Sequence, residues 1–237
     1  NTKYFFYTRG ISGEGKESIH YKRARAARHL GRYEDEFDSL LYHCNVMCKA
    51  KSWVDIDECF TRMDELIKTT ANISERNKKK YKYLTALYLF FTGNIDKANT
   101  SFEEYEKDIK SIISMYGEGS CDKMLIHDYI ASLRWHCECI LAKASSVQSM
   151  ENPKAIVAQM NNMLDEAIRL SKTINFERAI VHSILIKIKI GFELNYSREE
   201  ILELFDQLDE YKKIIANDAV YSKSYNQYRK QIMKEDG

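Results

Sequence analysis

Cysteine and histidine side chains recur at spacings that could bind a metal ion. His43, Cys44 and Cys48 lie close together, and Cys59 follows on the next predicted helix. Thiolate and imidazole groups are the ligands that zinc prefers, and Cys44 and Cys48 share one helix face because they are four residues apart. The same face carries the apolar residues of that helix, where cysteine packs as a small hydrophobe. The pattern therefore favours core packing over a zinc site.

A second cluster, His136-Cys137-Glu138-Cys139, is dense in possible ligands. Residues i and i+2 point to different sides of a helix, so its members cannot easily share one ion. A nucleophilic pair of Cys137 with His136 or His127 would need an electropositive, partly exposed thiol, and the sequence indicates none. We predict no catalytic residue, no metal and no cofactor.

Residues 10–16 (Gly-Ile-Ser-Gly-Glu-Gly-Lys) match the G-x-x-x-x-G-K pattern of phosphate-binding loops. Glu17 stands where Ser or Thr would hold Mg²⁺, and its charge would repel phosphates. We interpret residues 1–16 as a lead-in loop or the remnant of a preceding domain. Because the chain starts at Asn1, we expect it to be the C-terminal part of a larger signalling, regulatory or defence protein.

Two groups of basic residues could contact a charged partner. Lysines at 78, 79, 80 and 82 alternate with tyrosines, and arginines at 23, 25 and 28 form the second group. Such interleaving is found in single-stranded nucleic-acid sites, and it also suits an acidic protein or peptide. The net charge of the whole chain is only +1, so no global field favours nucleic acid or an anionic membrane. We expect a protein or peptide partner, and an acidic one would complement these basic groups.

The elements that carry these residues are almost all helices. The chain of 237 residues has 1 Pro and 9 Gly, too few for a fold rich in turns, and 44% of its residues are hydrophobic, which excludes disorder. Apolar residues recur three and four positions apart. This pattern predicts about ten helices, over residues 17–30, 33–50, 53–70, 74–93, 96–116, 122–146, 153–173, 176–194, 197–215 and 217–233.

The segments between helices are short, except for a possible internal linker at 145–153. Short connections favour antiparallel neighbours and predict a stack of helical hairpins. No apolar stretch reaches the ~20 residues that span a bilayer, and no signal peptide is recognised. Six cysteines lie within helical patterns and indicate reduced thiols, so we expect a cytoplasmic protein.

Three turns carry a repeat-like pattern: residues 30–35, residues 91–98 with Phe102 following, and residues 164–167. A small residue, such as Ala98 or Ala167, suits the close crossing of two helices, and a large apolar residue four positions later fills the next gap. On these residues the segment 17–233 resembles a divergent tetratricopeptide repeat. The resemblance implies an all-α fold, a single α-solenoid of stacked antiparallel hairpins. A compact bundle without repeats is the alternative.

The resemblance also implies a function and a binding surface. In this family, ligands contact the first helix of each hairpin, which here implies a partner surface at Lys80, Tyr83, Leu87, Asn152, Gln159, Ser183, Ile186 and Glu193. We predict a non-enzymatic scaffold or sensor module that binds protein or peptide. The alternatives are a helical enzyme or metal-dependent domain built on the Cys/His clusters, and a nucleic-acid-binding α-solenoid. The oligomeric state is not predicted.

Overall fold

The computed structural model describes residues 18–50, 52, 55–146 and 153–234, and these residues form helices and no strand. The predicted lead-in loop with its phosphate-loop pattern lies outside the described residues, as do residues 147–152 of the predicted linker. The described α-helices are α1 (Ile19–His29), α2 (Tyr33–Ala50), α3 (Ile56–Thr69), α4 (Glu75–Phe91), α5 (Ile95–Tyr116), α6 (Lys123–Ser146), α7 (Pro153–Thr173), α8 (Glu177–Glu193), α9 (Arg198–Asp209), α10 (Lys212–Ala216) and α11 (Ala219–Lys234). The all-α prediction is confirmed.

Local signals set several of the helix ends. A capping box starts α9, because Ser197 accepts from the backbone N–H of Glu200 while the Glu200 side chain accepts from that of Ser197. At the other end of a helix, Gly31, Gly93 and Gly117 each adopt positive φ, a conformation that costs glycine little. They follow α1, α4 and α5.

One predicted helix, 197–215, is two helices in the structure. It breaks at Glu210 and Tyr211 between α9 and α10. Leu208 before the break and Ile215 after it belong to the same apolar cluster. The turn brings both side chains into one core, which the local periodicity does not reveal.

The chain divides into two compact units, one ending at Ser101 and the other beginning at Phe102. In the first unit, α2 packs against α1, α3 and α4. Its core contains Phe37, Leu40, Leu41, Cys44, Cys48, Cys59, Met63, Leu66, Leu84 and Leu87. Burial of these side chains is the main stabilising term of the unit.

A buried carboxylate also lies within the first unit. Glu36 on α2 has no exposed surface, and it accepts hydrogen bonds from Arg28 of α1 and from Arg62 of α3. Burial alone would raise the pKa of Glu36, but the bonds from the two guanidinium groups outweigh it and lower that pKa. One acidic group thus ties three helices together.

The second unit is organised around α8. One apolar cluster joins α8 to α6 and α7 through Ile186 and Ile190, and another joins it to α9, α10 and α11 through residues that include Ile184 and Ile188. Apolar residues on most sides of a helix indicate that it is buried between neighbours. Helix α8 is therefore the centre of this unit.

Sequence neighbours pack on each other in the pairs α1/α2, α2/α3, α6/α7, α7/α8, α8/α9 and α10/α11, and so do the more distant pairs α2/α4, α6/α8, α8/α10 and α8/α11. This packing is compatible with stacked helical hairpins. Ala98, Phe102 and Ala167, which carry the repeat-like pattern, are fully buried. The predicted turn at residues 164–167 is wrong, because these residues lie inside α7, which continues without a break to Thr173. Among the described helices, none combines the length and the apolar composition needed to cross a bilayer.

Candidate functional site

Helices α5, α6 and α7 of the second unit surround a groove of about 730 Å³. The groove has the size of typical ligand sites. It is lined by Glu103, Glu106, Lys107 and Lys110 of α5, His136 of α6, and Ala155, Ala158, Gln159, Asn162, Met163 and Glu166 of α7. The α5 residues are spaced by three and four, so they share one face of that helix.

The floor of the groove is a fixed polar network. The Nδ1 of His136 lies 3.1 Å from one carboxylate oxygen of Glu106, and the Ser132 hydroxyl donates to the other oxygen at 3.0 Å. The His136 ring stacks on Phe102 with the ring centroids 5.5 Å apart. Because both oxygens of Glu106 have partners, its side chain is held in one orientation. Ser132 bonds to the carboxylate and not to the imidazole, so this is not a serine–histidine nucleophile.

One end of the groove is crossed by an ion pair. Lys110 of α5 lies 3.1 Å from Glu166 of α7, and the same carboxylate accepts a hydrogen bond of 3.0 Å from the hydroxyl of Tyr129 on α6. Burial and then the nearby carboxylates Glu166 and Glu106 raise the pKa of Tyr129. Its hydroxyl therefore stays protonated and acts as a donor at neutral pH.

Three polar side chains in the groove make no polar contact with the described part of the chain. Lys107, Gln159 and Asn162 are exposed, and none of them makes a hydrogen bond or ion pair to another described residue. Together they offer one ammonium group and two carboxamides, which can donate to carboxylates and carbonyls and, through the amide oxygens, accept from N–H groups. Ala155, Ala158 and Met163 add an apolar strip beside them. The groove can thus bind a chain that carries both polar backbone and apolar side chains.

The predicted partner-contact residues differ in their exposure to solvent. Gln159 lines the groove, Glu193 lies exposed at the end of α8, and Asn152 lies outside the described residues. The other five predicted residues are buried, namely Lys80, Tyr83, Leu87, Ser183 and Ile186.

The burial of these five residues has a physical reason. The Lys80 ammonium lies 3.8 Å from the centroid of the Tyr42 ring, and Ser183 donates to the carbonyl of Ala179 at 2.8 Å. Ile186 belongs to an apolar cluster. The faces of α4 and α8 that the resemblance assigned to a ligand are packing faces, so these side chains offer no surface to a partner.

Sequence reasoning missed the α5 face of the groove. The charged residues of α5 were given no role. Neither Lys107 nor Asn162 was considered, Glu166 was considered only as part of the repeat-like segment, and His136 only as a metal ligand or a base. The available signal was the single face shared by the charged residues at 103, 106, 107 and 110. That spacing occurs on many exposed helices and is not specific.

The Cys/His clusters do not form a metal site in the described part of the chain. No group of three or more His, Cys, Asp or Glu side chains there could hold an ion. All six cysteines are free thiols. Cys137 faces the carbonyl of Met160 at 3.6 Å, and burial, with Glu106 and Glu138 nearby, raises the pKa of its thiol. A neutral, buried thiol is a poor nucleophile.

The predicted basic groups are partly compensated within the first unit. Lys78 and Lys79 lie 2.8 Å and 3.8 Å from carboxylate oxygens of Glu75, Lys80 is buried, and Arg28 bonds to Glu36. Exposed ion pairs of this kind are weak, so the lysine ammonium groups in them still face the solvent. The lysine run nevertheless does not present a continuous row of accessible ammonium groups.

Comparison with known proteins returned no match: no family model fits the chain, and no curated protein and no solved structure shows significant similarity to it.

Proposed function

We propose that this chain is a non-enzymatic module that binds a peptide segment of a partner protein in the groove between α5 and α7. The observation that carries the proposal is the set of Lys107, Gln159 and Asn162, three accessible polar side chains beside an apolar strip and above a floor that is already hydrogen-bonded. A site whose floor is fixed before binding loses little conformational freedom when a ligand enters.

The chemistry of the groove indicates how a peptide would be held. The carboxamides of Gln159 and Asn162 lie three residues apart on α7 and can bond to the N–H and C=O groups of an extended backbone. Lys107 on the opposite helix favours an acidic side chain of the peptide. Met163 and the two alanines leave room for an apolar side chain.

The proposal includes the α-solenoid architecture that the sequence resemblance implied. We infer a tetratricopeptide-like α-solenoid over residues 17–233, in which α5 and α7 border the binding groove. The repeat-like residues and the packing of helices two apart support this interpretation. A scaffold or sensor role is part of the same proposal.

The test is selection of binders from a display library of random peptides, followed by affinity measurement on three variants. We expect selected peptides to be enriched in Asp and Glu. Lys107→Glu and Asn162→Ala should each weaken binding by about tenfold, which corresponds to about 1.4 kcal/mol. The matched control is Lys223→Glu, which makes the same charge change at an exposed position of α11 outside the groove.

Two results would refute the proposal. One is a selection that yields no peptide above background on a folded protein. The other is a set of peptides whose affinity is unchanged by Lys107→Glu and Asn162→Ala, because such peptides would bind elsewhere on the chain.

A further inference from the structure

A second, smaller cavity lies in the first unit between α1 and α2. Its volume is about 380 Å³, roughly half that of the peptide groove and at the small end of the range typical of ligand sites. The α1 side contributes residues three and four positions apart, which share one face of the helix: Arg23, Ala26, Ala27 and Leu30. The α2 side contributes Asp38 and Ser39.

Two opposite charges in this cavity have no polar partner. Neither Arg23 nor Asp38 makes a hydrogen bond or ion pair to another described residue, and the same holds for the hydroxyl of Ser39. Two further charged side chains line the cavity, Arg32 and Asp35, and these pair with each other at 2.5 Å. The cavity therefore presents one guanidinium group and one carboxylate to a ligand.

Asp38 is the less solvated of the two charges. Its side chain is half-buried, whereas that of Arg23 is exposed. Burial raises the pKa of Asp38, and the charges of Lys80 and Arg76 act in the opposite direction. A carboxylate that has lost water without gaining a hydrogen bond is stabilised by a cationic donor that comes into contact with it. Asp38 thus favours a ligand with an ammonium group.

The α1 wall also offers apolar surface. Leu30, directly after the last residue of α1, is 70% exposed, and the methyl group of Ala26 is exposed as well. Packing between the described helices leaves both side chains in contact with water. A ligand with an apolar side chain would remove this surface from water, which is favourable.

We propose that this cavity binds a free apolar α-amino acid, with its carboxylate on Arg23, its ammonium group on Asp38 and its side chain against Ala26 and Leu30. A guanidinium group can donate two parallel hydrogen bonds to a carboxylate. A zwitterion satisfies both charged groups at once, whereas a ligand with a single charge leaves one of them without a partner. The small volume favours one amino acid over a peptide segment.

The experiment is titration of the folded wild-type chain with L-leucine, followed by calorimetry and by saturation-transfer NMR of the ligand. We expect saturable binding at one site with a Kd of ~0.1–1 mM, the range of a small ligand with few contacts. Two analogues each remove one charge: leucinamide lacks the carboxylate, and N-acetylleucine lacks the ammonium group. Each should bind about tenfold more weakly than leucine, because one charged contact is lost.

Variants test the two contacts separately. Arg23→Gln and Asp38→Asn should each weaken leucine binding by about tenfold. In Arg23→Gln, leucine and leucinamide should bind alike, because the carboxylate has lost its partner. The matched control is Lys22→Gln, which removes a cation one position earlier on α1 and outside the cavity, and it should bind leucine like the wild type. Arg23 is exposed, so its replacement remains informative if Asp38→Asn does not fold.

Three results would overturn the proposal. The first is the absence of saturable leucine binding to the wild type up to about 10 mM, tenfold above the weakest expected Kd. The second is equal affinity of the wild type for leucine and leucinamide, because the carboxylate would then not be recognised. The third is unchanged leucine affinity in Arg23→Gln and Asp38→Asn, which would place the ligand elsewhere. All three leave the peptide-binding proposal untouched, because the two sites share no residue.

Discussion

Replacement of Glu36 should destabilise the first unit far more than replacement of any surface carboxylate. Glu36 accepts hydrogen bonds of 2.6 Å from Arg28 and of 2.8 Å and 3.0 Å from Arg62. Its own side chain is 0% exposed, whereas Arg62 is 23% and Arg28 42% exposed. Glu36→Ala removes the acidic group that these two guanidinium groups share.

The magnitude follows from this difference in exposure. Breaking a buried ion pair costs about 3–5 kcal/mol, because the remaining charge is left without a partner in a poorly solvated place. Both guanidinium groups keep some contact with water and can reorient, so we expect the lower end, about 3 kcal/mol. The matched control is Glu65→Ala. Glu65 also pairs with Arg62, at 3.1 Å, but it is 57% exposed, and its loss should cost less than about 1 kcal/mol.

The assay is urea unfolding followed together with hydrogen exchange of the α2 amides, since a chain with two units need not unfold in one step. We expect α2 to lose protection in Glu36→Ala and to keep it in Glu65→Ala. Equal effects of the two substitutions would refute the reasoning, because they would mean that the buried carboxylate contributes no more than an exposed one.

The pH dependence has a definite sign. The pKa of Glu36 is lowered in the folded state, so its contribution is complete above the unfolded pKa of about 4.3 and is lost as the pH falls through the folded value. We therefore expect the stability difference between wild type and Glu36→Gln to be largest near neutral pH and to shrink in acid. A difference that grows on acidification would contradict the lowered pKa.

Three further predictions concern the second unit. Ser197→Ala should lower the free energy of unfolding by about 1 kcal/mol through loss of the helix cap, with Ser197→Thr as the retained-cap control in thermal melts. Phe205→Ala should cost about 3–5 kcal/mol because the fully buried ring leaves a cavity, while Phe205→Leu should cost clearly less in the same urea titration. Glu106→Ala should leave Ser132 and His136 without their shared acceptor and should lower the affinity of a peptide bound in the groove. A peptide affinity identical to that of the wild type would show that the groove floor is not part of the site.

The helices were predictable because the signals that set them are local. Apolar spacing, the Ser197 capping box and the glycines at 31, 93 and 117 act over one or two helical turns, and the structure agrees with them. The break between α9 and α10 was not predictable, since the turn at Glu210 and Tyr211 brings Leu208 and Ile215 into one core, and that core forms only on packing.

Which residues form an accessible site could not be predicted from the sequence, because accessibility depends on the tertiary structure. Of the partner-contact residues inferred from the repeat-like pattern, Gln159 lies in the groove, while Lys80 and Ser183 lie in the core. A helix with apolar residues on several faces does not show by itself which face remains accessible, because that depends on how many neighbours pack on it.

The sequence by itself determined that this protein is all-helical, where most of its helices begin and end, and which charged and thiol side chains it contains. Only the tertiary structure decided which of them come together: Lys107 and Asn162 line one groove, and Arg62 pairs with Glu36. The reason is physical. Helix formation is governed by hydrogen bonds and side-chain spacing within a few residues, whereas these pairs join helices distant in sequence, and the register of helix packing is set by the shape of the whole core.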